Sequence, residues 1–282
     1  LDNADQAMAA FRQSIALAPD RAHPYHGLAS LYTDLGQYDD AIAAYQQAIE
    51  RQPDFAHAHN GLGLIYEHQR RYEDALAAYQ RAADLDSTYA SPHRNLGDVY
   101  DKLKRYADAA AAYRRAIAIN PGFADAHLGL GNMYRVLERY ADASVAYQRA
   151  ADLDPEDAYA RMSLGNMFSL LGEPETAERH YRRALAIDPE AAGALISLAR
   201  LALERGDRDD ARRSIDQARA LLADDDFYDR ACLEAIAGDP DAAVRLLLQA
   251  LDEDGTDRDW ARTDPDFASL RADPRFRALV EE

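Results

Sequence analysis

The sequence predicts an all-α fold, a solenoid of tandem helix-turn-helix units, on three observations. Tyr45, Tyr79, Tyr113, Tyr147 and Tyr181 recur every 34 residues. Ala41, Ala75, Ala109, Ala143, Ala177 and Ala211 keep the same step, and so do Ala48, Ala82, Ala116, Ala150, Ala184 and Ala218. Between these columns the apolar positions fall at helical spacing. A fixed period of this size means that each unit buries its apolar face only against its neighbours, which yields a long surface rather than one enclosed pocket.

With Ala22–Phe55 numbered 1 to 34, position 7 is leucine six times running: Leu28, Leu62, Leu96, Leu130, Leu164 and Leu198. Position 8 is Ala29, Gly63, Gly97, Gly131, Gly165 and Ala199, and position 11 is Tyr32, Tyr66, Tyr100, Tyr134 and Phe168. Positions 7, 8 and 11 make one stripe of a first helix; positions 20, 24, 27 and 28 make one stripe of a second. Pro53, Pro121, Pro155 and Pro189 at position 32 lack the donor a helix interior needs and separate the units. Gly36 and Gly172 stand where the first helix must turn into the second. Glycine inside a helix costs about 0.5–1 kcal/mol relative to alanine, so glycine at position 8 implies close approach of another surface. The alanine columns at 20 and 27 are the expected facing surface, with the rings at 11 and 24 beside that contact.

The succession Leu-Gly-x-x-Tyr, Ala, Tyr, Ala, Pro resembles the tetratricopeptide repeat, shown well by HLGLGNMY and YADASVAYQRAADLDP within 124–157. Six consecutive units carry it. Position 4 departs from the family's aromatic, with Tyr25, His59, His93, His127, Arg161 and Leu195. The expected organisation is the second helix of a truncated repeat at 1–21, then repeats at 22–55, 56–89, 90–123, 124–157 and 158–191. Degenerate repeats follow at 192–223 and 224–257, and a capping segment at 258–282. The start without methionine reads as a fragment of a longer chain. The tail repeats Asp-Pro-x-Phe at 264–267 and 273–276, similar to segments that close bacterial arrays of this family. Trp260, Phe267, Leu270, Phe276 and Leu279 are expected to cover the final apolar face.

Net charge is −18, and residues 224–282 contribute 17 acids against 7 bases. This sign repels nucleic acid, whose binding rests on cations neutralising phosphates. No apolar run approaches the ~20 residues that span a bilayer. The single cysteine, Cys232, excludes an internal disulfide and carries no signal of activation. The expected compartment is the cytoplasm.

Catalytic constellations are not apparent, and neither a metal nor a cofactor is expected. His59, His93 and His127 share position 4, but metal–nitrogen bonds are about 2.0–2.1 Å whereas packed helices lie about 8–10 Å apart. These imidazoles read as packing rings. The Gly-x-Gly pairs at 61–63 and 129–131 follow no strand and read as packing glycines.

The resemblance implies a right-handed α-α superhelix in which positions 2, 5, 9, 12 and 13 of the first helices line a concave groove. The candidate groove residues are Asn60, Leu64, Arg94, Asp98, Asp101, Leu128, Asn132, Arg135, Met162, Asn166, Ile196 and Arg200. Asparagine bonds both groups of a peptide unit, arginine grips carboxylates, and Leu128, Met162 and Ile196 accept apolar side chains. The expected function is a non-enzymatic scaffold binding a protein or peptide, of acidic or apolar character over the third to sixth repeats. The alternative is a sensor or regulatory arm of a larger signalling protein whose catalytic domain precedes residue 1. Self-association through Phe11 and Ile15 of the leading half-repeat is a further expectation.

Overall fold

The computed structural model describes residues 2–253 and 256–281. Leu1, Asp254, Gly255 and Glu282, which belong to the expected terminal and seventh-repeat segments, lie outside the described residues. The helices are α1 (Asp2–Leu17), α2 (Ala22–Asp34), α3 (Tyr38–Arg51), α4 (Ala56–His68), α5 (Tyr72–Leu85), α6 (Ala90–Lys102), α7 (Tyr106–Ile119), α8 (Ala124–Val136) and α9 (Tyr140–Leu153). They continue with α10 (Ala158–Leu170), α11 (Pro174–Ile187), α12 (Ala192–Arg205), α13 (Arg208–Leu221), α14 (Phe227–Ala237), α15 (Pro240–Glu253) and α16 (Arg258–Thr263). A 3-10 helix (Pro265–Leu270) and α17 (Pro274–Glu281) complete the chain. Strands are absent among the described residues. The class is all-α, built of tandem helix pairs. Two compact units, Leu1–Gly129 and Leu130–Glu282, divide the chain.

One turn design joins first helix to second throughout. Position 15 is left-handed at Gly36, Arg70, Lys104, Glu138, Gly172 and Gly206, with φ between 57° and 82°. The amide after it reaches back to the position-11 carbonyl, as Gln37 does to Tyr32 at 2.8 Å and Arg139 to Tyr134 at 2.8 Å. This is the Schellman closure, which satisfies carbonyls the helix end would leave bare. Gly238, with φ 89°, repeats the design between α14 and α15. The turn from one pair to the next is closed by a position-31 side chain. Asp86, Asn120, Asp154 and Asp188 each accept the amide two residues on, at 2.9–3.2 Å. Such Asx turns compete well with helix continuation.

Packing corrects one expectation. The glycines at position 8 face the position-24 tyrosine ring, not the alanine columns. In the N-terminal unit, a Cβ on Gly63 would lie 2.5 Å from the Tyr79 ring, and one on Gly97 would lie 2.6 Å from that of Tyr113. Gly129 confines Tyr113 from its other face, at 2.5 Å. In the C-terminal unit Gly131 and Gly165 stand likewise against Tyr147 and Tyr181, at 2.7 and 2.6 Å. The rings need the space that a missing side chain leaves. The alanines at position 20 are buried too, Ala41, Ala75, Ala109, Ala143 and Ala177 all at 0 % exposure.

At the N-terminal end, Phe11 of α1 packs its ring on Gly27 of α2, so the leading helix is covered on that side. Leu17 is 80 % exposed. At the other end, Phe267, Leu270, Phe276 and Val280 join Ile196, Leu233 and Leu247 in one buried cluster, with Leu279 packed at its margin.

Candidate functional site

The first-helix faces are organised from behind by the tyrosines of the second helices. Tyr113 Oη donates to Asp98 at 2.7 Å in the N-terminal unit. In the C-terminal unit Tyr147 donates to Asn132 at 2.6 Å and Tyr181 to Asn166 at 2.7 Å. Each ring comes from position 24 and each acceptor stands at position 9. Position 9 of the second repeat is Leu64, which cannot accept, and there the Tyr79 hydroxyl goes to Glu67 at position 12, at 2.7 Å. A buried hydroxyl needs a partner, and in meeting that need each tyrosine fixes the rotamer of a surface polar group. With Oδ1 of Asn132 and Asn166 so engaged, the amide nitrogens are left as donors.

In the N-terminal unit the face is open and mixed in charge. Leu64 is 44 % exposed. Arg94 pairs with Asp98 on the same helix, and Lys102 Nζ reaches Glu67 at 2.6 Å. Burial raises the Asp98 carboxyl above its ordinary range, against the pull of Tyr113 and Arg94. Asp101 and Leu128 are half-buried. Asn60 departs from expectation: it is buried, and its Oδ1 accepts from Asn95 Nδ2 at 3.0 Å, so its amide lies behind the face. Near the start of this unit His26, Phe55, His57 and Tyr89 form a chain of ring contacts, with His57 stacked on Tyr89 at 4.5 Å. His59 and His127 do more than pack. Each sets Nε2 against the carbonyl of the preceding position-32 proline, Pro53 or Pro121, at 3.2 and 3.1 Å.

The C-terminal unit holds a polypeptide segment on this face already, and the segment is its own. Arg135, 3 % exposed, donates from Nη1 to Thr263 Oγ1 at 2.6 Å and to the Trp260 carbonyl at 3.3 Å. Its guanidinium lies 3.2 Å from the Trp260 ring centroid, and Tyr159 stacks beside that ring at 6.4 Å. Arg200 is buried against Asp266, Nε to Oδ1 at 2.9 Å, and pairs outward with Glu204 at 2.9 Å. Ser197 Oγ reaches the same Asp266 carboxylate at 3.2 Å. Ile196 is fully buried in the cluster with Phe267. Arg135, Ile196 and Arg200 are therefore not open groove residues, because the segment from Arg258 to Leu270 covers them. Trp260 is likewise corrected: it lies on α8 and α10 instead of covering the last apolar face. Met162 and Asn166 stay half-buried, and a cavity of about 320 Å³ opens beside Tyr159, Met162, Gly193 and Leu222, with Asp226 and Asp229 at its edge.

Sequence reasoning missed Thr263 and Asp266 as partners of this face. The contacts of Thr263 to Arg135 and of Asp266 to Arg200 span 128 and 66 residues, and no period links them. Cys232, Asp264 and Asp266 bring potential ligand atoms within 4.8 Å of one another. Both carboxylates are engaged, Asp264 by the Tyr228 hydroxyl at 2.9 Å and Asp266 by Arg200 and Ser197. Burial raises the Cys232 thiol far above its ordinary range, and Asp264 and Asp266 push it the same way. The donor set is that of a satisfied buried network with a protonated thiol.

The tetratricopeptide repeat family model matches residues 26–90, 94–157 and 134–192, and a second model of that repeat matches 170–232. No curated protein matches the chain. Among solved structures, PilF of Pseudomonas aeruginosa aligns at TM-score 0.61 and 22% identity, over 78% of this chain and 94% of its own. MamA aligns at 0.54 and 26%, over 58% and 96%. YrrB, described as a TPR protein with an unusual peptide-binding site, aligns at 0.56 and 24%, over 66% and 96%. The family models run across most of the helix pairs described above. The chain belongs to the tetratricopeptide repeat family.

Proposed function

We propose that the protein is a non-catalytic scaffold that holds a partner polypeptide along the first-helix faces of its repeats. One observation carries this reading: the C-terminal unit lays a segment of its own chain on that face, gripped by Arg135 and Arg200. A face that seats an irregular, partly helical stretch with ring stacking, a carbonyl contact and a carboxylate pair has the chemistry to seat another. The open counterpart is the N-terminal unit's face, with Leu64, Arg94, Asp98, Asp101 and Leu128. There the tyrosine-held carboxylates offer fixed acceptors and Leu64 an apolar contact. In the C-terminal unit Asn132, Met162 and Asn166 supply the remaining accessible part. YrrB, with its peptide-binding site, is a precedent in fold for such use.

The test is a random peptide array probed with the whole chain and with a variant carrying Leu64→Ala and Asp101→Asn. The reading expects captured peptides whose affinity drops at least tenfold in the variant while the melting temperature stays put. An array that captures nothing, or peptides bound equally by both proteins, would remove it.

A further inference from the structure

Of the two buried arginines, only one is well met by the tail. Arg200 has a buried carboxylate on Nε and a second carboxylate on Nη1. Arg135 has a hydroxyl, a carbonyl and a ring face, and its Nε and Nη2 are buried without a hydrogen-bond partner. A guanidinium carries five donors and a full charge, so the arrangement leaves a cation short of an anion in a site that excludes water. The part of the tail that meets Arg135 contributes only the small side chain of Ala261 to the core cluster, and its other ties are polar, Arg258 to the Leu279 carbonyl and Arg262 to Glu138, each at 2.6 Å. α16 has six residues, and Trp260 is half-buried. The large apolar anchors Phe267, Leu270, Phe276 and Val280 lie beyond it. Short elements with few buried apolar groups open locally while the rest of a domain stays folded.

We infer that α16 is a placeholder on the first-helix face of the C-terminal unit, exchanged for a partner segment that offers a carboxylate to Arg135 and an aromatic ring to Tyr159. The inference rests on the scaffold reading above and adds the chemistry of the partner. The fork of Arg135 takes a carboxylate by two N–H groups, which the resident Thr263 hydroxyl cannot match. Residues beyond Asp264 stay docked during exchange, so the core cluster keeps its large side chains and gives up only Ala261. The resident segment competes at an effective concentration on the order of millimolar, and a competitor must exceed it through the added ion pair.

Trp260 is the chain's only tryptophan, so its emission reports the exchange directly. The probe is a dye-labelled synthetic peptide of residues 257–267 carrying Trp260→Phe and Thr263→Glu, with a twin carrying Thr263→Gln. The first should red-shift Trp260 emission saturably, with a midpoint at least tenfold below that of its twin. Installing Thr263→Glu in the chain itself should weaken the first peptide at least tenfold, because Arg135 is then satisfied internally. Equal midpoints for the two peptides would overturn the carboxylate assignment. Dye anisotropy rising without a Trp260 shift would overturn the exchange while leaving the scaffold reading intact. No response in either signal sinks the inference alone, since the scaffold reading is judged by the array.

Discussion

At the scale of single residues, the two buried arginines make opposite predictions. Arg200 neutralises Asp266 in a site where both are buried. Removing one member of such a pair strands the other, so Arg200→Met should cost about 3–5 kcal/mol in urea unfolding. Arg135 has no carboxylate partner among the described contacts, and its Nε and Nη2 nitrogens are orphaned. Since each buried unmet donor costs about 1–3 kcal/mol, Arg135→Met should leave stability unchanged or raise it by about 1 kcal/mol. Equal losses in the two variants would contradict this account. The glycines give a third case. Tyr113 is confined by Gly97 on one face and Gly129 on the other. Gly97→Ala should therefore destabilise by about 1–3 kcal/mol through overpacking, offset by at most about 1 kcal/mol of helix propensity. An unchanged urea midpoint would show that the ring has room to move.

At the scale of the element, the helix-to-helix turn demands a left-handed residue at every repeat, yet three repeats supply Arg70, Lys104 and Glu138 there. A side chain in that conformation costs about 1–2 kcal/mol relative to the right-handed one. Lys104→Gly and Glu138→Gly should each stabilise by up to about 1 kcal/mol, the remainder being lost to glycine's unfolded-state entropy; a fall in melting temperature for both would refute the turn assignment. This element scale was the most legible in the sequence. The 34-residue columns give the helix pairs, and Gly36 and Gly172 give the turn, which Arg70, Lys104 and Glu138 make without glycine. What the columns hid was the partner of each glycine, because a ring at position 24 and an alanine at position 20 recur with the same period. Which first-helix positions the tail covers was not legible: Leu64, Arg94, Asp98 and Asp101 are clear of it, whereas Arg135 and Arg200 are buried beneath it. A contact bridging 128 residues by a threonine and an arginine leaves no pattern for periodicity to find.

At the scale of the whole molecule, the tail brings carboxylates into the interior of an already acidic protein. Burial raises Asp266, and Asp264 beside it adds to the rise, against Arg200 and Ser197. Burial also raises Asp229 to about 6, with Asp264 and Asp226 pushing the same way. Both groups hold a proton more firmly when folded than when unfolded, where a carboxyl titrates near 4. The stability they confer is therefore complete below about pH 4 and is lost as pH rises through their folded values. Facing them are Glu204 and Arg200 on α12, Tyr228 and Cys232 on α14, and Tyr181 on α11. Burial lowers His26, His59, His93 and His180, which pulls stability the other way over the same range. The effect is therefore read as a difference: between pH 5 and pH 8 the melting temperature followed by Trp260 emission should fall relative to that of Asp266→Asn. A difference that climbs over the same range would contradict the charge placement.

The tyrosine hydroxyls tie the interior of each repeat to its exterior. Substituting Asp98, Asn132 or Asn166 by a residue that cannot accept strands a phenol indoors, as Leu64 would have done had Glu67 not stood one turn along. On the proposed reading, recognition is inherited in pairs, and a repeat acquiring a new taste in ligands must also settle where its tyrosine points.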